Sequence, residues 1–475
     1  MDYDVAVIGA GAAGYKAALT ARALGARVAL IEDRAVGGAC LNRACIPHKA
    51  LTHIARLLGT TQGFLGRGVQ GSLIPDRAAA TAFSEHLVGD VRRGLPQRLR
   101  ALGITVLHGS GRLMGPQEIA VTRPDGLQRI SAWRVILAVG SAPARLAPCP
   151  PDGRFVVDTD GFLTSLKEDA PRVLCVGGGA AGVEAAFVLR RFGSRVTLIS
   201  RGPRLLNRAC VSERAAGIVQ RGLRDLGVDL RLMLTVAAAS PRDHDIEVRF
   251  TDGSQAAFDR VVVAVGRVPR DRSLGLDALG VLRDGAGFVA TNGACETSLP
   301  GVYAVGDMAG GPMTAAAAIH SGRIAGHNAV RGNARVRNYH QVPFVVETVW
   351  PLAAVGLSED LAESAGFTPE VVTIPLGASL KARAHGATAG GGEIVFDGET
   401  GQMLGGCLVG AGADEGIHLV AAACRSRRGL WSFTDLDYGH PSWAEDLGLA
   451  IEPVVGAFAQ APRTPFMPGV YAPLT

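Results

Sequence analysis

One pattern occurs twice in this chain of 475 residues and limits its fold more than any other feature. The stretch "DVAVIGAGAAG" at 4–14 returns as "RVLCVGGGAAG" at 172–182, about 168 residues later. Each copy is a short apolar run, then Gly-x-Gly-x-x-Gly, then a stretch of helical character. Each leads on to a second apolar run, "RVALIED" (27–33) and "RVTLISR" (195–201). An apolar run bounded by glycines reads as a buried strand, so each copy opens a βαβ unit. One such motif is weak evidence. Two copies, each after a strand and before a helix, argue for two dinucleotide sites. Gly9 permits the tight turn, Gly11 lets the backbone approach a pyrophosphate, and Gly14 lets helix and strand pack closely. Gly177, Gly179 and Gly182 repeat this. The free N–H groups and dipole of the helix start then hold the anion. The plainer alternative is a pair of glycine turns that only pack.

A second repeat supports the duplication. "RVILAVGSAP" (134–143) and "RVVVAVGRVP" (260–269) read as strands ending in Ala-Val-Gly with a proline downstream. Each closes its dinucleotide half, with Gly140 and Gly266 at the ends. "TSLPGVYAVGDMAG" (297–310) is a further strand leading to Gly306-Asp307. From about 336 the character changes, and "FVVETVWPLAAVG" and "ETGQMLGGCLVG" read as antiparallel strands mixed with helices. The expected class is α/β, with two Rossmann-like dinucleotide-binding domains and a C-terminal α+β domain. The last fifteen residues hold four prolines and no helical period, and read as an extended tail.

Composition narrows the function classes. Hydrophobic residues make up 48% and glycines number 63, which fits a well-cored globular chain. The net charge of +5 is small and scattered, so nucleic acid is not an expected partner. No signal peptide is read at the start and no apolar run reaches the roughly eighteen residues of a membrane span. The expected home is the cytoplasm, where cysteines stay reduced and a close pair suggests catalysis or metal binding. Only four lysines (16, 49, 167, 381) stand against 44 arginines, so Lys49 is conspicuous.

That lysine follows two cysteines in "GGACLNRACIPHKAL" (37–51). Cys40 and Cys45 are five apart, about 7.5 Å along a regular helix, beyond the usual limit near 7 Å between the α-carbons of a disulfide. Cys40 is therefore expected in a turn or distorted helix start, with Cys45 on the helix. A disulfide across such a join is local and reducible, which suits a cycling pair. A zinc half-site would want closer spacing and a second ligand pair, which is not found, so no metal is expected. Further on, "HPSWAE" places His440 five residues before Glu445. The segment reads either as an acid/base histidine held by a glutamate or as a Ser442-x-x-Glu445 capping box.

Taken together, "GAGAAGYKAA", "GGACLNRACIPHKAL", "GGGAAGVEAA", "GVYAVGD", "GADEGIH" and "HPSWAE" resemble the flavoprotein pyridine nucleotide-disulfide oxidoreductases, and among them the dihydrolipoamide dehydrogenase branch. The matches run through nearly the whole chain in the family's order. The resemblance implies FAD in the first half, a nicotinamide nucleotide in the second and a C-terminal dimer interface in a homodimer. It implies residues 1–143 and 270–335 as two parts of an FAD domain, 144–269 as the NAD(P) domain and 336–475 as the interface domain. Cys45 then faces the flavin and Cys40 exchanges with the substrate sulfur, as thiolates. Lys49 sits by the flavin and pairs with Glu184. His440 reaches the partner's Cys40, oriented by Glu445. Asp307 binds the ribityl chain, and Glu32 accepts from the ribose 2′-OH of the FAD adenosine. The implied substrate is a lipoyl dithiol, on a carrier protein. The rivals are an NADPH-dependent reductase of a small glutathione-like disulfide and a mainly structural, carrier-docking subunit of a multienzyme complex.

Several positions depart from that pattern. Ala39 and Ala44 replace a threonine and a glycine, and His48 replaces a serine. His48 either tunes the thiolate and moves protons or points into solvent. Ser200 stands where NAD-linked members carry an acidic residue, with Arg201 and Arg204 following. An arginine there can pair with a 2′-phosphate, so NADP is favoured over NAD. Ala180 and Ala181 suggest an ungated nicotinamide pocket. The cysteines at 149, 175, 210, 295, 407 and 424 are expected to be buried or inert.

Overall fold

A computed structural model describes residues 1–458 except 168, 271–273, 388 and 427. The expected C-terminal tail lies outside the described residues.

The repeat seen in the sequence is a repeat in space. Strand Tyr3–Ile8 pairs in parallel with Val28–Glu32 on one side and with the long strand Gly126–Leu137 on the other. Ile104–His108 and Val302–Ala304 extend this to five parallel strands. The second sheet repeats the first four of these, but its outer strand beside the fourth precedes the others in the chain. Arg172–Val176 lies between Arg195–Ser200 and Arg260–Val263, flanked by Asp229–Leu232 and Val156–Asp158. An antiparallel meander precedes each fourth strand: Ser110–Leu113 and Glu118–Arg123, continuous with the first sheet, and Val236–Pro241, Ile246–Phe250 and Gln255–Phe258, a separate three-stranded sheet beside the second. The central strands of both sheets are buried on both faces, as parallel sheets must be, and their sequences are accordingly continuous Val, Ile and Leu runs.

Small residues set the closest packing. Helix Ala12–Ala23 lies against Ala315–Arg331. A Cβ on Gly322 or Gly326 would collide with the carbonyls of Ala13 and Ala17, so only glycine allows these backbones to approach. Thus residues 302–331 return to the first sheet after the chain has built the second.

A short antiparallel ribbon joins the two halves. Ser141–Pro143, just after the first Ala-Val-Gly, pairs with Arg267–Pro269, just after the second. The C-terminal region forms a five-stranded antiparallel sheet of Phe344–Val346, Leu352–Gly356, Met403–Val409, Gly391–Asp397 and Pro369–Ile374. Helix Ala413–Arg425 covers it through Ile417, Val420 and Ala423. No described helix is long and apolar enough to cross a membrane.

Candidate active site

A cavity of about 1390 Å³ is lined by both glycine turns, both cysteines of the motif, Lys49, Glu184 and Asp307. The glycines are required by geometry. Gly9 and Gly177 adopt φ of +102° and +124°, which favours glycine. A Cβ on Gly14 would strike the Gly9 carbonyl, and one on Gly182 the Gly177 carbonyl. Nothing crowds the second glycine of either turn: Gly11 meets only the Gly38 Cα, at 3.8 Å, and Gly179 has nothing within 4 Å. Each turn therefore leaves room at the N–H groups of a helix start, which fits a pyrophosphate.

The two halves differ at the end of the second strand. Glu32 is buried, and its carboxylate accepts from the Ala10 N–H at 2.7 Å and the Arg34 N–H at 2.9 Å. Burial pushes its carboxyl above the usual range, against the pull of those two N–H groups. Ser200, its counterpart, is also buried. Its hydroxyl accepts from the Gly202 N–H at 3.3 Å. Arg201 is exposed on the cavity wall. Arg204 donates to the Val211 carbonyl at 3.0 Å, so its guanidinium is already engaged.

Cys40 does not sit in a turn. It lies in a five-residue helix of its own, Gly38–Asn42, which breaks at Arg43 and Ala44 before the helix Cys45–Gly63 begins. That break shortens the path between the sulfurs, which a continuous helix would hold apart. Both are free thiols, and they hydrogen-bond to each other. The bond from Cys40 holds Cys45 below the ordinary thiol range, with the Lys49 cation assisting and burial and Glu184 opposing. The same bond and burial push Cys40 up. The two thiols are thus shifted in opposite directions, Cys45 toward the thiolate.

Around Cys45 lies a chain of charges. Lys49 Nζ meets Glu184 Oε1 at 2.6 Å and Glu347 Oε1 at 3.5 Å. The Glu347 N–H donates to Glu184 at 2.8 Å. Arg56 bridges from Glu347, at 2.9 Å, to Asp414, at 3.4 Å. Burial would raise the Glu184 carboxyl, but His48 and Lys49 reverse this and bring it to about 2. His48 does not point into solvent. Its Nδ1 lies 3.6 Å from Glu184 Oε2 and its ring meets Phe162 edge-on at 4.8 Å. Local pattern does not single out Glu347 or Arg56, whereas Asp414 falls within "GADEGIH". The one signal is an acidic residue inside the apolar run "FVVETVW".

Asp307 accepts from the Ser141 hydroxyl at 2.6 Å, and Arg267 donates to that same hydroxyl at 2.7 Å. Gly140 and Gly266 line the cavity beside them. Its volume, the glycine turns and the carboxylates of Glu32 and Asp307 fit two nucleotides.

His440 is elsewhere. It is not among the residues lining this cavity, and its side chain is 64% exposed. Its Nδ1 lies 2.9 Å from Glu445 Oε1, which holds Glu445 below the usual carboxylate range. Ser442 and Glu445 also form the capping box: Ser442 Oγ accepts from the Glu445 N–H at 3.1 Å, and Glu445 accepts back at 3.4 Å. The His440–Glu445 contact and the capping box are present together. Of the remaining cysteines, 149, 175, 295, 407 and 424 are buried and 210 is half-buried. Burial pushes Cys175 and Cys407 up to about 12.

Two dinucleotide-binding halves that share one cavity with a polarised dithiol define a flavin- and pyridine-nucleotide-dependent disulfide oxidoreductase. Comparison with known proteins agrees. The chain belongs to the pyridine nucleotide-disulphide oxidoreductase family, whose model matches residues 3–322, and the family's dimerisation domain matches 342–451. It is 35% identical to a dihydrolipoyl dehydrogenase of Thermus scotoductus, over 95% of this chain and 97% of that one. It is 33% identical to the dihydrolipoyl dehydrogenase of Chlorobaculum tepidum, over 93% and 95%. Among solved structures, the HOCl-induced flavoprotein disulfide reductase RclA of Escherichia coli superposes with a TM-score of 0.82 at 28% identity, over 95% and 100%. LpdA of Mycobacterium tuberculosis shares the fold, with a TM-score of 0.88 at 24% identity over 95% and 99%.

Proposed function

We propose that the chain is a homodimeric dihydrolipoyl dehydrogenase-type enzyme, passing electrons between a lipoyl dithiol on a carrier protein and a nicotinamide nucleotide. The observation that supports this is the Cys40–Cys45 dithiol, with Cys45 held below the ordinary thiol range one helical turn from the Lys49–Glu184 pair. In this reading FAD, held by Gly9, Gly11, Gly14, Glu32 and Asp307, supplies a two-electron relay between the nucleotide and the disulfide. Lys49 orients beside it. Cys40 exchanges with the substrate sulfur. His440 of the partner subunit moves the substrate proton, because its own chain leaves it exposed and away from the cysteines. We further assign 1–143 and 270–335 to an FAD-binding unit, 144–269 to the nucleotide unit and 336–475 to the interface.

Turnover with dihydrolipoamide, exceeding that with oxidised glutathione, tests the substrate class. Anaerobic two-electron reduction should give a long-wavelength thiolate-to-flavin band that Cys45→Ser abolishes; a band that persists places another sulfur against the flavin. His440→Ala should slow thiol turnover by about 10²–10⁴-fold while leaving flavin reduction by the nucleotide little changed.

NADP is our preferred nucleotide. Ser200 is too short to replace a carboxylate, and Arg201 is a cation on the cavity wall. The same residues favour a second reading, an NADPH-dependent reductase of a small disulfide, which the glutathione arm of the turnover assay separates.

A further inference from the structure

His48 occupies an unusual position for a titratable ring. It follows Cys45 by three residues on the same helix, so both side chains lie on one face. It is largely buried, at 13% side-chain exposure. Nδ1 faces the Glu184 carboxylate at 3.6 Å, so the neutral ring carries its hydrogen there. Nε2 is then a lone pair, and this buried atom has no partner among the described residues. Among the described residues, Glu184 and Phe162 contact the ring. Glu184 comes from the helix Ala180–Arg191, Cys45 and Lys49 from its own helix, and the Phe162 edge from the helix Phe162–Ser165. From the helix Arg77–Ala101 comes Ser84, which donates to the neighbouring Pro47 carbonyl.

The surrounding charge explains why such a base matters. Lys49 and Arg56 are the cations of the cluster; Glu184, Glu347 and Asp414 are its anions. The cluster thus already carries one excess negative charge. A thiolate on Cys45 adds a second, in a place where uncompensated charge is costly. Glu184 opposes that thiolate directly.

We propose that His48 takes up a proton on Nε2 when the Cys40–Cys45 disulfide is reduced, restoring the charge of the cluster and stabilising the Cys45 thiolate. The step balances. The S–S bond breaks as two electrons arrive from a hydride donor through the flavin. One proton completes the Cys40 thiol, Cys45 remains a thiolate, and a further proton from solvent converts His48 to an imidazolium held by Glu184. Reoxidation returns it. The inference rests on the reading of Cys45 as the flavin-facing thiolate, and it makes His48 a positioning residue acting within its own subunit, distinct from His440.

The test compares the holoenzyme with His48→Gln, which keeps size without basicity, and with His48→Ser, each first checked for full flavin content. The midpoint potential of the disulfide is measured across the pH range in which imidazoles titrate. One proton fewer per two electrons is a tenfold smaller change in equilibrium constant per pH unit, or about 30 mV. Both variants should therefore show a slope shallower by up to that amount. Their thiolate-to-flavin band should also vanish at a pH about one unit higher on acidification. Slopes and band midpoints equal to the parent's would overturn the role of His48 alone. A parent with no such band would overturn it together with the Cys45 assignment.

Discussion

The glycine turns at 9–14 and 177–182 are alike in dihedrals, in strand order and in the carbonyl that excludes a side chain, yet their surroundings differ. The first turn is roofed. Gly38 lies against Gly11, and a Cβ on Gly38 would come within 2.6 Å of the Gly11 Cα. Glu32 is clamped by two backbone N–H groups. At the second turn Ser200 and Leu205 pack against Gly178, but nothing lies near Gly179, and the Ser200 hydroxyl has one weak backbone bond. In the reading proposed above, the clamped half would keep its nucleotide and the other would exchange it. The same topology can thus serve a resident cofactor or a visiting one, according to what the next segment lays over the turn.

Substitutions can break that comparison. The largest effect is expected from Gly14→Val and Gly182→Val, since each side chain would be driven into the carbonyl of its own turn. Gly14→Val should yield colourless protein without flavin. Gly182→Val should keep its flavin and lose reduction by the nicotinamide nucleotide; flavin loss in the second variant would show that the halves are not independent. Next comes the clamp. Glu32→Ala strips the partner from two backbone N–H groups, at about 1–3 kcal/mol each, whereas Ser200→Ala removes one long bond worth no more than about 1 kcal/mol. Thermal unfolding of both apoproteins measures the difference, and equal losses would erase the contrast. Arg201→Ala should weaken NADP(H) binding by about 10- to 150-fold, the worth of a charge-assisted bond, with the parent's affinity falling at high salt. Equal binding of NAD(H) and NADP(H) by the parent would remove the 2′-phosphate argument.

The smallest effect at neutral pH concerns the contact that joins the halves. Glu184, on the second half's helix, is depressed to about 2 from its ordinary 4.5, beside Lys49 on the first half's. Its contribution is present above pH 4.5 and is lost as the pH falls toward 2. Glu184→Gln should flatten the acid limb of the stability curve in that window, and an unchanged limb would mean that the pair is not depressed.

Much of this architecture is readable from local pattern. Each βαβ opening declares itself because strand, turn and helix start are contiguous, so Gly9 to Glu32 and Gly177 to Ser200 can be found by eye. The Cys40–Cys45 pair is visible for the same reason, although the break at Arg43 and Ala44 that places Cys40 in its own helix is not. Non-local pairings leave no such trace. Nothing in "SAP" and "RVP" says that Ser141–Pro143 will lie beside Arg267–Pro269, 126 residues away at the Arg267–Ser141 bond. Glu347 and Arg56 are 291 apart, and "ETVW" by itself reads as an ordinary strand end. His48 stands out in the sequence as an oddity, but only its burial against Glu184 decides between solvent and site.

The ribbon of Ser141–Pro143 and Arg267–Pro269 carries a consequence for how such a chain can be rebuilt. Its strands mark the exit and re-entry of everything between residues 144 and 266, and they leave those two points side by side. The intervening segment is thus a cassette plugged into a socket, with insertion points close enough to be rejoined. A foreign nucleotide module grafted at Pro143 and Arg267 would have to resupply Glu184 and Phe162, which reach across to Lys49 and His48.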